Sequence, residues 1–186
     1  VNAQSRGSGK VLLGLGANCP SPWGAPAATL QRALETLEQK GIAVKAVSHL
    51  YQTAAMGTAL QPSYLNQVAL ISTSLSAPAL LRLLKQIEVL AGRRGGRPWG
   101  ARTLDLDIID YKGLVMNWSR APGGIPRESV QPLVLPHPQI EHRPFVLKPL
   151  LDVAPSWRHP VLKLNAGDLL RRLPNKGQGS VLKTVS

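Results

Sequence analysis

Cysteine is almost missing from this chain of 186 residues, where Cys19 stands alone. A single cysteine forms no intramolecular disulfide and excludes a structural zinc site of the cysteine-rich kind. It fits a reducing cytoplasm, and a cytoplasmic protein is the expectation. Acidic residues are scarce too, ten Asp and Glu against 22 Lys and Arg. So few carboxylates leave little for a metal centre that needs several acidic ligands. No apolar run approaches the ~20 residues needed to cross a bilayer. The first ten residues, VNAQSRGSGK, hold no apolar stretch and so cannot act as a secretory signal. Residues 1–10 read as a flexible leader and 11–186 as a single domain.

What is present is a globular composition, 44% hydrophobic and 17% charged, which argues against disorder. The net charge of +12 calls for a polyanionic partner, either nucleic acid or a small one such as a nucleotide. Basicity alone does not choose. Lys10–Gly16 is a short apolar run, read as a buried strand. Ser21 and Pro22 offer a helix start, with Leu30, Leu34 and Leu37 at helical spacing up to Gly41. Val44–Tyr51 is read as a second strand and Tyr64–Ser74 as a third. Ser76 caps the next helix, whose stripe is Leu80, Leu81, Leu84, Ile87 and Ala91, with Gly92 as its stop. Thr103–Tyr111 alternates as a fourth strand. Weaker helical signals follow at Val146–Val153 and Ala166–Leu173. The order strand, helix, strand, strand, helix, strand predicts an α/β (α+β) ferredoxin-like sandwich with a central antiparallel sheet and flanking helices.

The segment Arg102-Thr103-Leu104-Asp105-Leu106-Asp107-Ile108 carries the most chemistry. Residues two apart on a strand share a face, so Asp105 and Asp107 point one way and Leu104, Leu106 and Ile108 point into the core. Two carboxylates ~7 Å apart repel unless a cation stands between them, and hard oxygen ligands on a rigid strand suit Mg²⁺. Arg93, Arg94, Arg97 and Arg102 supply planar donors that match phosphate oxygens. Gly92, Gly95, Gly96 and Pro98 suggest a loop able to close over a nucleotide, with Trp99 placed to stack on a flat heterocycle. His137 and Arg143, six residues apart, form a pair able to grip phosphates. Tyr64 and Asn66 share a strand face, and the asparagine offers the donor and acceptor that a heterocycle edge requires.

Together, WGARTLDLDI, Tyr64-Leu65-Asn66, Glu88, PHPQIEHRPF, the early Gly16-x-Asn18 and Tyr51-x-Thr53 resemble the 6-hydroxymethyl-7,8-dihydropterin pyrophosphokinases of folate biosynthesis. The likeness runs from about Val11 to Pro155. It implies transfer of pyrophosphate from ATP to the pterin, with AMP leaving. It implies that Asp105 and Asp107 bind two Mg²⁺ ions arriving with ATP, and that Arg93 and Arg102 handle phosphates as catalytic groups. Asn66 would hydrogen-bond the pterin ring, with Tyr64 and Phe145 flanking it. Thr53, Ala54 and Met56 would line the pocket and Trp99 would close over it. Lys85, Glu88, Arg93, Arg102, Ile108, His137 and Arg143 would form the ATP site. The chain departs from the family at Ala17, Ala54-Ala55, Ala101, Val134 and a longer stretch at 117–131. The expected partners are ATP and the pterin, for a monomer that engages neither nucleic acid nor membrane. Two other readings stand beside this one: a metal-dependent nuclease built on the Asp105/Asp107 pair, and an RNA-binding module on a ferredoxin-like sheet. The nuclease needs further acidic ligands. The RNA-binding class needs clustered aromatics on central strands, where this chain has Tyr64 alone on the third.

Overall fold

The computed structural model describes residues 10–55, 61–94, 102–118, 133–174 and 179–185. Its elements are β1 (Val11–Ala17), α1 (Pro26–Gln39), β2 (Ala43–Val47), β3 (Leu50–Thr53), β4 (Tyr64–Ser72), α2 (Ala77–Leu90), β5 (Asp105–Tyr111), α3 (Pro144–Val153), α4 (Ala166–Arg171) and β6 (Val181–Val185). All strands join one antiparallel sheet of six, ordered β5-β1-β4-β3-β6, with β2 also paired to β4. This is the expected ferredoxin-like order, extended by one strand.

Strand alternation sends two sets of side chains to two faces, and each face finds its own helices. Val11, Leu13, Leu15, Leu104, Leu106 and Ile108 pack with Leu30, Leu37, Leu80, Leu84 and Ile87 of α1 and α2. Leu12, Val68 and Ile109 face the other way, against Val146, Leu147, Leu150 and Leu169 of α3 and α4. Complete burial of each such leucine contributes ~2 kcal/mol, so the two cores together hold the sheet between two layers.

Three expectations change. The single strand expected over Val44–Tyr51 is two strands. The Ser48 hydroxyl accepts from Val68 N at 3.0 Å, replacing a ladder carbonyl, and the Ser48 amide donates back to Val68 O at 2.9 Å. The side chain thus interrupts the ladder where the chain bends. The first helix begins at Pro26 rather than Ser21, because Ser21 and Gly24 close a tight turn with two backbone bonds of 2.9 and 3.0 Å. Gly24 sits there at φ +114°, which its lack of a Cβ permits. Finally, β6 lies beyond every expected strand. The second helix starts as expected, with Ser76 Oγ accepting from Ala79 N at 3.4 Å.

Candidate active site

On the face of the sheet that α3 and α4 cover, Asp105, Asp107 and Tyr64 stay partly exposed at one end. Register fixes what lies there. Gly16 of β1 pairs with Asn66 of β4 on one side and Asp105 of β5 on the other, while Gly14 pairs with Val68 and Asp107. Directly paired residues share a face, so Asn66 and Asp105 look at one another across a bare glycine, ~9–10 Å apart by strand spacing. A side chain at Gly16 would push Asn66 aside, since a Cβ there would stand 2.8 Å from Asn66 Oδ1. Gly16 forms the floor of a trough between polar banks, whereas the Ile109 side chain lies over Gly14.

One bank is cationic. Asp105 Oδ1 meets Arg93 Nη1 at 2.6 Å and Arg102 Nη1 at 3.6 Å. Asp107 Oδ2 has Arg143 Nη1 at 3.6 Å and His137 Nε2 at 3.8 Å. The two carboxylates keep 30% and 37% of their surface exposed, so a ligand can reach them. Their repulsion is thus relieved by side chains. Burial and the Asp107 charge raise the pKa of Asp105. Burial also acts on Asp107, but His137, Lys85, Arg143 and Arg93 outweigh it and hold that carboxyl low. The pair titrates as a unit, with the more tightly held proton on the Asp105 side. His137 is itself pushed down by burial and by Arg143.

Behind this bank, β5 is the edge of the sheet, and its outward backbone groups are met by side chains. Glu88 Oε1 accepts from Leu106 N at 2.7 Å, Lys85 Nζ donates to Leu106 O at 3.3 Å, and Arg93 Nη1 donates to Leu104 O at 3.5 Å. Glu88 is 2% exposed and also pairs with Lys85 at 2.7 Å and Arg93 at 2.6 Å. Burial raises its pKa against the pull of those two cations. The carboxylate of Glu88 therefore acts as a buried anchor. It seals the strand edge and aims Arg93 round it toward Asp105.

The other bank is neutral. Asn66 Nδ2 donates to Thr53 Oγ1 at 2.7 Å, and both residues are buried. Tyr64 borders the trough, its hydroxyl pushed up to about 12 by burial, Asp105 and Cys19. Ala54 follows Thr53 at the end of β3, its amide donating to Ser180 O at 2.9 Å. Phe145 opens α3 beneath the Arg143 guanidinium, 5.7 Å from the ring centre.

Of the residues expected here, Thr53, Ala54, Tyr64 and Asn66 gather on one bank. Lys85, Glu88, Arg93, Arg102, Asp105, Asp107, His137 and Arg143 gather on the other. Met56 and Trp99 lie outside the described residues, as do the glycine loop beyond Arg94 and most of the stretch 117–131. Ile108 buries its side chain, 4% exposed, in the core on the α1/α2 side, as strand alternation predicts, away from Asp107. Two residues beyond Leu106, only its backbone faces the open edge. Two residues gain a role beyond the expected set. Gly16 is the floor, and Asn18 ties the banks together. The Asn18 amide donates to Arg102 O at 3.0 Å, its Oδ1 accepts from Arg102 N at 2.8 Å, and its Nδ2 donates to Pro62 O at 3.3 Å. The signal in the sequence was Gly16-x-Asn18 itself, a polar residue and a glycine at the end of a buried strand. Among the described residues no three His, Cys, Asp or Glu side chains cluster as a metal site, so the further acidic ligands of a nuclease centre are not found there.

The sequence model of the 7,8-dihydro-6-hydroxymethylpterin-pyrophosphokinase family matches residues 12–155. A 2-amino-4-hydroxy-6-hydroxymethyldihydropteridine pyrophosphokinase of Synechocystis is 39% identical over 151 residues, covering 81% of this chain and 69% of that protein. The enzyme of the same name from Aquifex aeolicus is 33% identical, covering 82% and 85%. A folic acid synthesis protein of Dictyostelium discoideum is 31% identical over 95% of this chain, which spans only 24% of that longer protein.

Proposed function

The chain belongs to the 7,8-dihydro-6-hydroxymethylpterin-pyrophosphokinase family, and from that premise we propose how its open sheet face works. The enzyme transfers the pyrophosphoryl group of ATP to the hydroxymethyl oxygen of 6-hydroxymethyl-7,8-dihydropterin, a reaction of folate synthesis. The observation that carries the site assignment is the row Asn66–Gly16–Asp105. It sets an amide suited to a heterocycle edge directly across from a carboxylate and arginine cluster suited to a polyphosphate.

In this reading Asn66, held by Thr53, recognises the pterin ring between Tyr64 and Phe145, with Ala54 on the pocket wall. Lys85, Arg93, Arg102, His137 and Arg143 bind the ATP phosphates, and the Ile108 backbone contributes from the strand edge. Glu88 orients Arg93 and Lys85. The hydroxymethyl oxygen forms a bond to the β-phosphorus while the bond from that phosphorus to the α–β bridging oxygen breaks. AMP leaves and the hydroxyl proton passes to solvent. Arg93 and Arg102 stabilise charge as it moves to the leaving oxygen, and the trough holds nucleophile and phosphorus in line. Asp105 and Asp107, half-open oxygen donors on a rigid strand, fit Mg²⁺, expected as two ions. When bound, such ions would neutralise phosphate charge and make the attacking hydroxyl more acidic.

The test is the identity of the nucleotide product. ATP with the pterin should yield AMP and pterin diphosphate in equal amounts, and no AMP without pterin. Formation of ADP, or AMP release independent of pterin, would overturn the assignment.

A further inference from the structure

The matched family segment ends at residue 155, yet the sheet is completed by β6, some 25 residues farther on. β6 pairs antiparallel with β3, setting Leu50 against Val185, Tyr51 against Thr184, Gln52 against Lys183 and Thr53 against Val181. The register shifts between Gln52 and Thr53, and immediately past the pairing the Ala54 amide donates to Ser180 O at 2.9 Å. Gly179, at φ +72°, turns the chain into this contact.

The position of that bond matters. β3 has only four residues, a short strand that would be the sheet edge without β6. Its last residue is Thr53, 1% exposed, whose hydroxyl takes one N–H of the Asn66 amide. That bond fixes which way the amide is turned, with Oδ1 over Gly16 and the second N–H left for a ligand. Thr53 is therefore held from both sides, by Tyr64 of β4 and Val181 of β6. We propose that the C-terminal segment 179–185 is a positioning element of the pterin pocket. It clasps Thr53 and Ala54 and so fixes the Asn66 amide for pterin without touching the phosphate bank. The inference rests on the assignment of Asn66 to pterin recognition given above.

Two variants test it beside a reference. Ala54→Pro removes the donated N–H, and the extended backbone of Thr53 accepts a following proline. A chain ending at Gly179 removes β6 altogether. Asn66→Ala serves as reference. Steady-state assays would vary ATP and 6-hydroxymethyl-7,8-dihydropterin separately, with circular dichroism to follow folding. Both clasp variants should raise the KM for pterin about tenfold, the order of one lost backbone bond, and leave the KM for ATP within about twofold. A pterin KM equal to wild type in both, with Asn66→Ala impaired, overturns the clasp and leaves β6 a stability element. Equal losses toward both substrates also overturn it, since they mark general loosening. A normal pterin KM in Asn66→Ala overturns the pocket assignment and the clasp with it.

Discussion

Three aspartates stand on one face of β5, at its two ends, and their surroundings differ in almost every respect. Asp105 and Asp107 lie at the open end among arginines, a lysine and a histidine. Asp110 lies at the closed end, 4% exposed beneath the α3/α4 layer. A register shift between Leu12 and Leu13 sets Asp110 opposite Leu12 and Ile108 opposite Leu13, so Ile109 bulges and Asp110 rejoins the face of Asp107. Its partners are neutral: Trp157 Nε1 at 2.7 Å and Gly113 N at 2.8 Å. Burial raises its pKa, while those two donors hold it down. The role of a carboxylate is thus set by its cover. Roofed and met by fixed neutral donors, Asp110 ties β5 to the C-terminal layer. Half-open and ringed by cations, Asp105 and Asp107 keep oxygens within reach of a ligand.

That contrast breaks most directly at Asp105 and Asp107. Replacing either with alanine should lower kcat at least ~10³-fold at saturating Mg²⁺, the scale of losing a group that organises transition-state charge. The circular dichroism spectrum should stay unchanged, because neither side chain fills the core. Wild-type turnover in either variant would remove the pair from the site. Arg93→Lys keeps the charge but loses the planar guanidinium, whose Nη1 meets both Glu88 and Asp105. We expect single-turnover rates to fall about 10–100-fold with ATP binding less affected; an unchanged rate would make Arg93 an edge cap only.

Gly16→Ala probes the floor between the banks. Its Cβ would displace Asn66 Oδ1, so the KM for pterin should rise about tenfold while that for ATP holds. At the closed end the pattern should reverse. Asp110→Ala strands the Trp157 and Gly113 donors, costing about 2–3 kcal/mol in urea unfolding, with kcat unchanged at low temperature. A fall in kcat without a loss of stability would show that the two ends are not separable.

The smallest effect concerns His159, fully buried near Trp118 and Trp157. Its Nδ1 accepts from Val161 N at 3.2 Å and Leu162 N at 3.1 Å, so the ring must be neutral with its proton on Nε2. Burial lowers its pKa, Lys163 adds to this and Glu141 opposes it. The unfolded chain takes up the proton near ~6.5. This contribution to stability is therefore complete above that pH and lost as pH falls below it, by at most ~1.4 kcal/mol per pH unit for one proton. Unfolding curves between pH 7 and 5 should show a shallower slope in His159→Gln. A residual slope should remain from His137, which is also held low. Identical slopes would exclude His159.

Much of this was legible because the period of a strand is local. Alternation through Thr103–Tyr111 already put Asp105 and Asp107 on one face and the leucines on the other, and the spacing of leucines located the helices. The same motif residues, by resemblance, pointed to the family and to both banks of the trough. What local pattern could not carry was partnership. The break at Ser48 depends on which strand lies beside it, since its hydroxyl interrupts a ladder only once Val68 is there. Ile108 was legible as core from alternation, but that its backbone faces an open edge follows only from β5 being the outermost strand. Gly16 looked like the end of a strand, and the crowding at its Cα arises from Asn66, fifty residues on, arriving opposite it. Composition and periodicity determined the class of fold, the faces of the strands and the charged end of β5. The tertiary structure alone decided the floor, the buried anchor at Glu88 and the clasp of β6, because each is a contact between segments distant in sequence, and such contacts exist only after the sheet has assembled.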